Sequence, residues 1–143
     1  MTAKVLEHLR SQREAAVQRL CDYLKIESIG TDAQYDAACR DAAQWTAKQM
    51  SDAGLETQIH TGQGHPIVLG MYQCDKPDAP TVMYYGHYDV QPPDPLALWD
   101  SPPFEPTIRD DRIYARGASD DKGQVMTFLE AMRAWHETHG LPD

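Results

Sequence analysis

Thr81-Val82-Met83-Tyr84-Tyr85-Gly86-His87-Tyr88-Asp89 decides how the rest of the chain reads. Its first five residues are rich in β-formers and predict a strand. An imidazole and a carboxylate follow at once, where open α/β sheets tend to bind ligands. The second informative stretch is Gly117-Ala118-Ser119-Asp120-Asp121-Lys122-Gly123, a glycine-flanked acidic turn that opens a helical pattern. Between the two lie Pro92, Pro93, Pro95, Pro102, Pro103 and Pro106. Their fixed φ angles stiffen a loop too long to be a simple connection. A stiff loop joining two acidic, polar turns suggests a metal site with His87 and Asp120 as ligands.

Residues 3–25 place Leu6, Leu9, Ala16, Leu20 and Tyr23 or Leu24 at helical spacing and predict one amphipathic helix. Thr31 with Gln34 is a capping box for a second helix. That helix carries Ala38, Ala42, Trp45, Gln49 and Ala53 along one stripe and stops at Gly54. Trp45 and the alanines are read as core. Leu55 to His60 and Pro66 to Tyr72 predict strands around the turn Gly62-Gln63-Gly64, and Arg112 to Ala115 a short strand after the long loop. From Lys122 onward, Val125, Phe128 or Leu129, Met132 and Trp135 mark a third helix closed by Gly140 and Pro142. The pattern is α/β, with helices available for both faces of a sheet. A sheet built this way would add strands after residue 143, so the sequence reads as an N-terminal portion of something larger.

At 143 residues the chain can hold one domain with a real core. Its net charge of −9, without any basic run, argues against nucleic acid and anionic membrane as partners. No stretch has the apolar length of a membrane span. Residues 1–20 lack the apolar block of a secretory signal. Cys21, Cys39 and Cys74 are odd in number and lack CxxC spacing, so they read as free or buried thiols of a reducing compartment. The cytoplasm is the expected location.

Each chemical candidate has a plainer alternative. In an isolated HxD, the histidine bonds locally and the aspartate caps a turn. As a metal site, neutral His87 donates one ring nitrogen to a divalent ion while Asp89 holds the other, fixing the tautomer. Asp120 and Asp121 are adjacent carboxylates that repel unless a cation lies beside them. Asp121 also fits a helix N-terminus, where acids favour the dipole. Asp120 is better placed to face His87, and a carboxylate can bridge two metals. Such a pair suits zinc, with manganese or cobalt as alternatives. GxGxxG fails at Ile67, GxSxG fails at Asp121, and HExxH, P-loop and EF-hand patterns are absent. His60, His65, His136 and His139 are left structural, the last two forming a weak metal pair by spacing.

Three blocks in order carry a family resemblance: Tyr85-Gly86-His87-Tyr88-Asp89-Val90-Gln91-Pro92, Trp99-Asp100-Ser101-Pro102-Pro103-Phe104, and Tyr114-Ala115-Arg116-Gly117-Ala118-Ser119-Asp120-Asp121-Lys122-Gly123. They resemble the co-catalytic zinc peptidases, which include carboxypeptidase G, carnosinase-type dipeptidases, aminoacylase and succinyl-diaminopimelate desuccinylase. The wording lies nearest the dipeptidase branch. The resemblance implies a three-layer catalytic domain, helices packed on a mixed sheet, of which residues 1–143 form the N-terminal part. It implies two zinc ions per full-length active site, His87 on one and Asp120 bridging both. Asp89 joins the catalytic set as the partner of His87, and the Asp120–Asp121 peptide is expected to be cis.

The implied reaction is hydrolysis of a dipeptide or N-acyl amino acid by a metal-activated water. A homodimer of the full-length protein is compatible with the resemblance. The family's general-base glutamate, its remaining ligands and its lid or dimerisation domain match nothing here, and neither Glu130 nor Glu137 is assigned as the base. In the alternative reading the chain alone is a non-catalytic fragment or binding module. Two protein ligands cannot fill two metal shells, so residues 1–143 alone are expected to bind zinc weakly and turn nothing over.

Overall fold

The N-terminal helical stretch folds as two helices rather than one, α1 (Thr2–Ser11) and α2 (Arg13–Leu24), in a computed structural model that describes residues 2–141. The break is local. Gln12 leaves helical geometry at φ −97°, ψ 7°, beside a Ser11 hydroxyl that donates to the His8 carbonyl at 2.8 Å, while the Gln12 N–H keeps its own bond to that carbonyl at 3.0 Å.

After α2 the chain turns through residues 26–30. The cap expected at Thr31 sits one residue later, where Asp32 accepts from the Gln34 backbone N–H at 3.0 Å. A 3-10 turn, Ala33–Tyr35, leads into α3 (Asp36–Asp52). Gly54, at φ +90°, ends α3 as the sequence predicts, and the Leu55 N–H returns to the Met50 carbonyl at 3.1 Å.

Strands β1 (Glu56–His60) and β2 (Ile67–Met71) pair antiparallel, Glu56 opposite Met71 and His60 opposite Ile67, with α3 across them. Strands β3 (Thr107–Arg109) and β4 (Arg112–Tyr114) form a second antiparallel hairpin. Its turn residues, Asp110 and Asp111, both take positive φ, as a two-residue hairpin requires. α4 (Lys122–His139) closes the described chain and ends at Gly140; Pro142 lies outside the described residues.

The α/β class is as read from the sequence. Within the described residues, however, the strands make two separate antiparallel pairs and no mixed sheet. The strand expected at 81–85 is the main difference. These residues join neither ladder, and Val82 and Met83 are 86% and 87% exposed. A strand needs a neighbour for its backbone groups, and propensity alone supplies none. Tyr84 nevertheless stacks on Phe128 of α4, with centroids 4.2 Å apart, and so fixes the path into Gly86.

The core lies between α2, α3 and α4, around Tyr23, Ala42, Val125, Met126 and Leu129. Burying a residue such as Leu129 contributes about 2 kcal/mol. Trp45 is core as expected, stacked on Tyr23 with centroids 4.2 Å apart. The Tyr23 hydroxyl keeps a partner in Thr46 Oγ1 at 2.8 Å. Arg19 forks onto Glu130, with both bonds at 2.6 Å, tying α2 to α4. All three cysteines are free, and Cys39 is buried. Among the described residues no helix is long and apolar enough to cross a membrane.

Candidate functional site

Two short segments meet beside the start of α4. The first, residues 86–90, is held by the turn after α2. Val90 N–H donates to the Ser28 carbonyl at 2.8 Å, Gly30 N–H donates to the Val90 carbonyl at 3.4 Å, and the Ser28 hydroxyl donates to the Tyr88 carbonyl at 2.6 Å. Ile29 and Val90 form a parallel bridge. Gly30 has no side chain for a local reason: a Cβ there would stand 2.6 Å from Asp89 Oδ2.

The second segment is the acidic turn, anchored by the residue that follows it. Lys122 is fully buried, and its Nζ donates to the Tyr23 carbonyl at 3.1 Å and the Ile26 carbonyl at 2.7 Å, at the end of α2. Each carbonyl also accepts a backbone N–H, Tyr23 from Ile26 at 3.2 Å and Ile26 from Ser28 at 2.8 Å, and both lie near the negative end of the helix dipole. Burial still disfavours the ammonium and pushes its pKa down to about 7. The peptide between Asp120 and Asp121 is cis, as the resemblance implied.

His87 and Asp120 are brought together across the proline loop, with Nε2 3.1 Å from Asp120 Oδ1. His87 Nδ1 faces both the Asp89 carbonyl, at 3.1 Å, and Asp89 Oδ1, at 3.2 Å. Asp89 therefore reaches the ring twice, once through its backbone, a contact the sequence did not suggest. Burial works against a charged His87. The Asp89 carbonyl, the Asp89 charge, the Asp120 bond and the Asp121 charge outweigh it, and its pKa lies above the ordinary value. The Asp120 side chain is 83% exposed, so its second oxygen is open.

In the neutral tautomer that donates its Nδ1–H to Asp89, Nε2 would offer a lone pair to a carboxylate oxygen that is itself an acceptor. Two acceptors at that distance need a proton or a metal cation between them. Donors about 2.0–2.2 Å from a zinc, at a tetrahedral angle, stand about 3.4 Å apart. The observed separation fits that with little movement. Among the described residues no group of three or more His, Cys, Asp and Glu side chains is arranged to hold a metal.

The other candidates are placed elsewhere. Glu130 is taken by Arg19, and Glu137 bonds His8 Nε2 at 2.7 Å. His65 bonds the Gly30 carbonyl at 2.9 Å. His139 meets Trp135 edge-on, and His136 packs against Gly54. Two contributors escaped the sequence reading. Ser28 lies in a stretch legible only as a helix break. Asp121 was legible only as a helix N-terminus, yet its Oδ2 accepts the His87 backbone N–H at 3.1 Å.

Residues 83–143 match the profile described as peptidase family M20/M25/M40. A cysteinylglycine-S-conjugate dipeptidase of Corynebacterium striatum is 34% identical over 93% of this chain and 29% of its own length. A succinyl-diaminopimelate desuccinylase of Aromatoleum aromaticum is 46% identical over 83% of this chain and 29% of its own. Human carnosine dipeptidase 1 superposes with a TM-score of 0.85 at 27% identity, covering 94% of this chain and 31% of that one. The chain thus spans less than a third of the length of these relatives.

Proposed function

We propose that the chain belongs to peptidase family M20/M25/M40, whose profile matches residues 83–143, and that it supplies one histidine and one bridging carboxylate to a hydrolase centre. The bond cut is the amide of a dipeptide or an N-acyl amino acid, the substrate types named in its relatives. We propose further that residues 1–143 correspond to the N-terminal part of the catalytic domain. The carrying observation is that His87 Nε2 and Asp120 Oδ1 face each other at 3.1 Å while Nδ1 is held by Asp89.

His87, through Nε2, and Asp120, through its carboxylate, would hold the divalent metal. The metal, zinc with manganese or cobalt as alternatives, would supply Lewis acidity and acidify a water towards about pKa 7. Asp89 keeps the Nδ1 proton in place, so that Nε2 remains a donor to the cation. Tyr23 and Ile26 hold Lys122, and through it the Asp120 turn, against α2. Glu130 and Glu137 are both engaged elsewhere, and the general base is assigned to neither.

A second reading applies to this chain on its own. A structural zinc takes four ligands, and His87 with Asp120 provides two donors. Residues 1–143 alone are therefore expected to bind zinc weakly and to hydrolyse nothing.

The test is amide hydrolysis and metal stoichiometry of the whole protein and of residues 1–143. Turnover of a dipeptide or N-acyl amino acid by the whole protein with zinc, manganese or cobalt is expected. No turnover with any of the three overturns the function. Tight binding of two zinc ions by residues 1–143 contradicts the second reading.

A further inference from the structure

We propose that Asp121 is the positioning residue for His87, acting as a hydrogen-bond acceptor and neither as a metal ligand nor as a helix cap. The proposal rests on the reading of His87 and Asp120 as metal ligands. Asp121 occupies the N-cap position of α4, but its side chain makes no capping bond to its own helix. Its Oδ2 instead accepts the His87 backbone N–H at 3.1 Å, joining residues 34 apart in sequence. The approach is close because residue 86 is glycine. A Cβ on Gly86 would stand 2.8 Å from Asp121 Oδ2 and 2.6 Å from Val125 Cγ2.

The consequence is geometric. Asp89 fixes the rotation of the imidazole through Nδ1. Asp121 fixes the backbone from which that imidazole hangs, and it follows Asp120 directly. One acidic pair therefore sets both partners: Asp120 faces Nε2 and Asp121 holds the peptide nitrogen. The distance between His87 and Asp120 is then fixed by two adjacent residues rather than by the length of the proline loop.

Three roles predict different responses. A metal ligand or a dipole charge needs the carboxylate, so Asp121→Asn would fail as badly as Asp121→Ala. A hydrogen-bond acceptor survives in asparagine, whose Oδ1 can take the same N–H, and is lost in alanine. In the whole protein, two readouts follow: exchange of the His87 backbone amide by NMR, without metal, and zinc affinity by calorimetry.

Asp121→Asn is expected to keep both near wild type. Asp121→Ala is expected to lose about 10–100-fold in zinc affinity, the usual cost of removing a ligand's supporting partner, and to speed the His87 amide by at least roughly tenfold. Should Asp121→Ala fail to fold, Asp121→Ser takes its place, since its side chain stops one atom short. Equal losses in the asparagine and alanine variants overturn the proposal, as does a wild-type His87 amide in Asp121→Ala. Zinc affinity unchanged by His87→Ala overturns the metal reading instead, and the amide comparison then decides the brace alone.

Discussion

At the residue scale, the site divides labour between carboxylates that look alike in sequence. Asp120 faces the imidazole nitrogen that points outward, and Asp89 faces the inward one. Asp89→Asn is therefore expected to cost about 10–100-fold in metal affinity, because it disturbs orientation only. Asp120→Asn should cost more, since it removes a donor atom; equal losses from the two would contradict the division. Burial sets Cys39 apart among the thiols and pushes its pKa up, a shift that suppresses the reactive thiolate. Iodoacetamide should leave Cys39 unlabelled until the fold opens, and prompt labelling of the native protein would show that α3 is not packed as described. The meeting of His87, Asp89 and Asp120 was legible because their residue types and flanking glycines single them out. Asp121 was not, because an acid at a helix start has an ordinary explanation and only the fold reveals its partner.

At the element scale, the turn after α2 matters more than any helix. Residues 26–30 hold Lys122 on one side and pair with residues 88–90 on the other. Lys122→Met removes two charge-assisted hydrogen bonds, to the Tyr23 and Ile26 carbonyls, each contributing roughly 1.5–3 kcal/mol, although both carbonyls keep a backbone N–H. Removing a buried ammonium works in the opposite direction. The two lost bonds outweigh it, and a lower urea midpoint is expected; a higher one would show that desolvation of the ammonium dominates. Gly30→Ala should weaken metal binding much as Asp89→Asn does, since its Cβ meets Asp89 Oδ2. Unchanged binding would mean that Asp89 moves aside at little cost. Helices α3 and α4 and the hairpin of β1 and β2 were legible from periodicity and turn glycines. β3 was hidden among prolines, and its turn uses two aspartates at positive φ where glycine or asparagine is the usual signal.

At the scale of the whole molecule, one segment is inconsistent with the rest. Thr81 to Tyr85 has the composition of a strand, yet it lies outside both ladders with Val82, Met83 and Tyr85 exposed. Strand composition implies a sheet neighbour that the described residues do not provide. In residues 1–143 alone, the amides of Val82 to Tyr85 should exchange as an unpaired segment does. In the whole protein they should be protected by a neighbouring strand, and equal exchange in both would show that the segment is a loop by design. The α/β class and the meeting of the two acidic turns did not depend on that neighbour: the first rests on α3 packed across β1 and β2, the second on contacts among α2, α4 and residues 86–90.

The central claim is that His87 and Asp120 share one divalent cation. Cobalt(II) titration of the whole protein, followed by its visible absorption, tests it most directly. Visible bands are expected in the wild type and are expected to be lost or shifted in both His87→Ala and Asp120→Asn. Bands identical in intensity and position in either variant would contradict it.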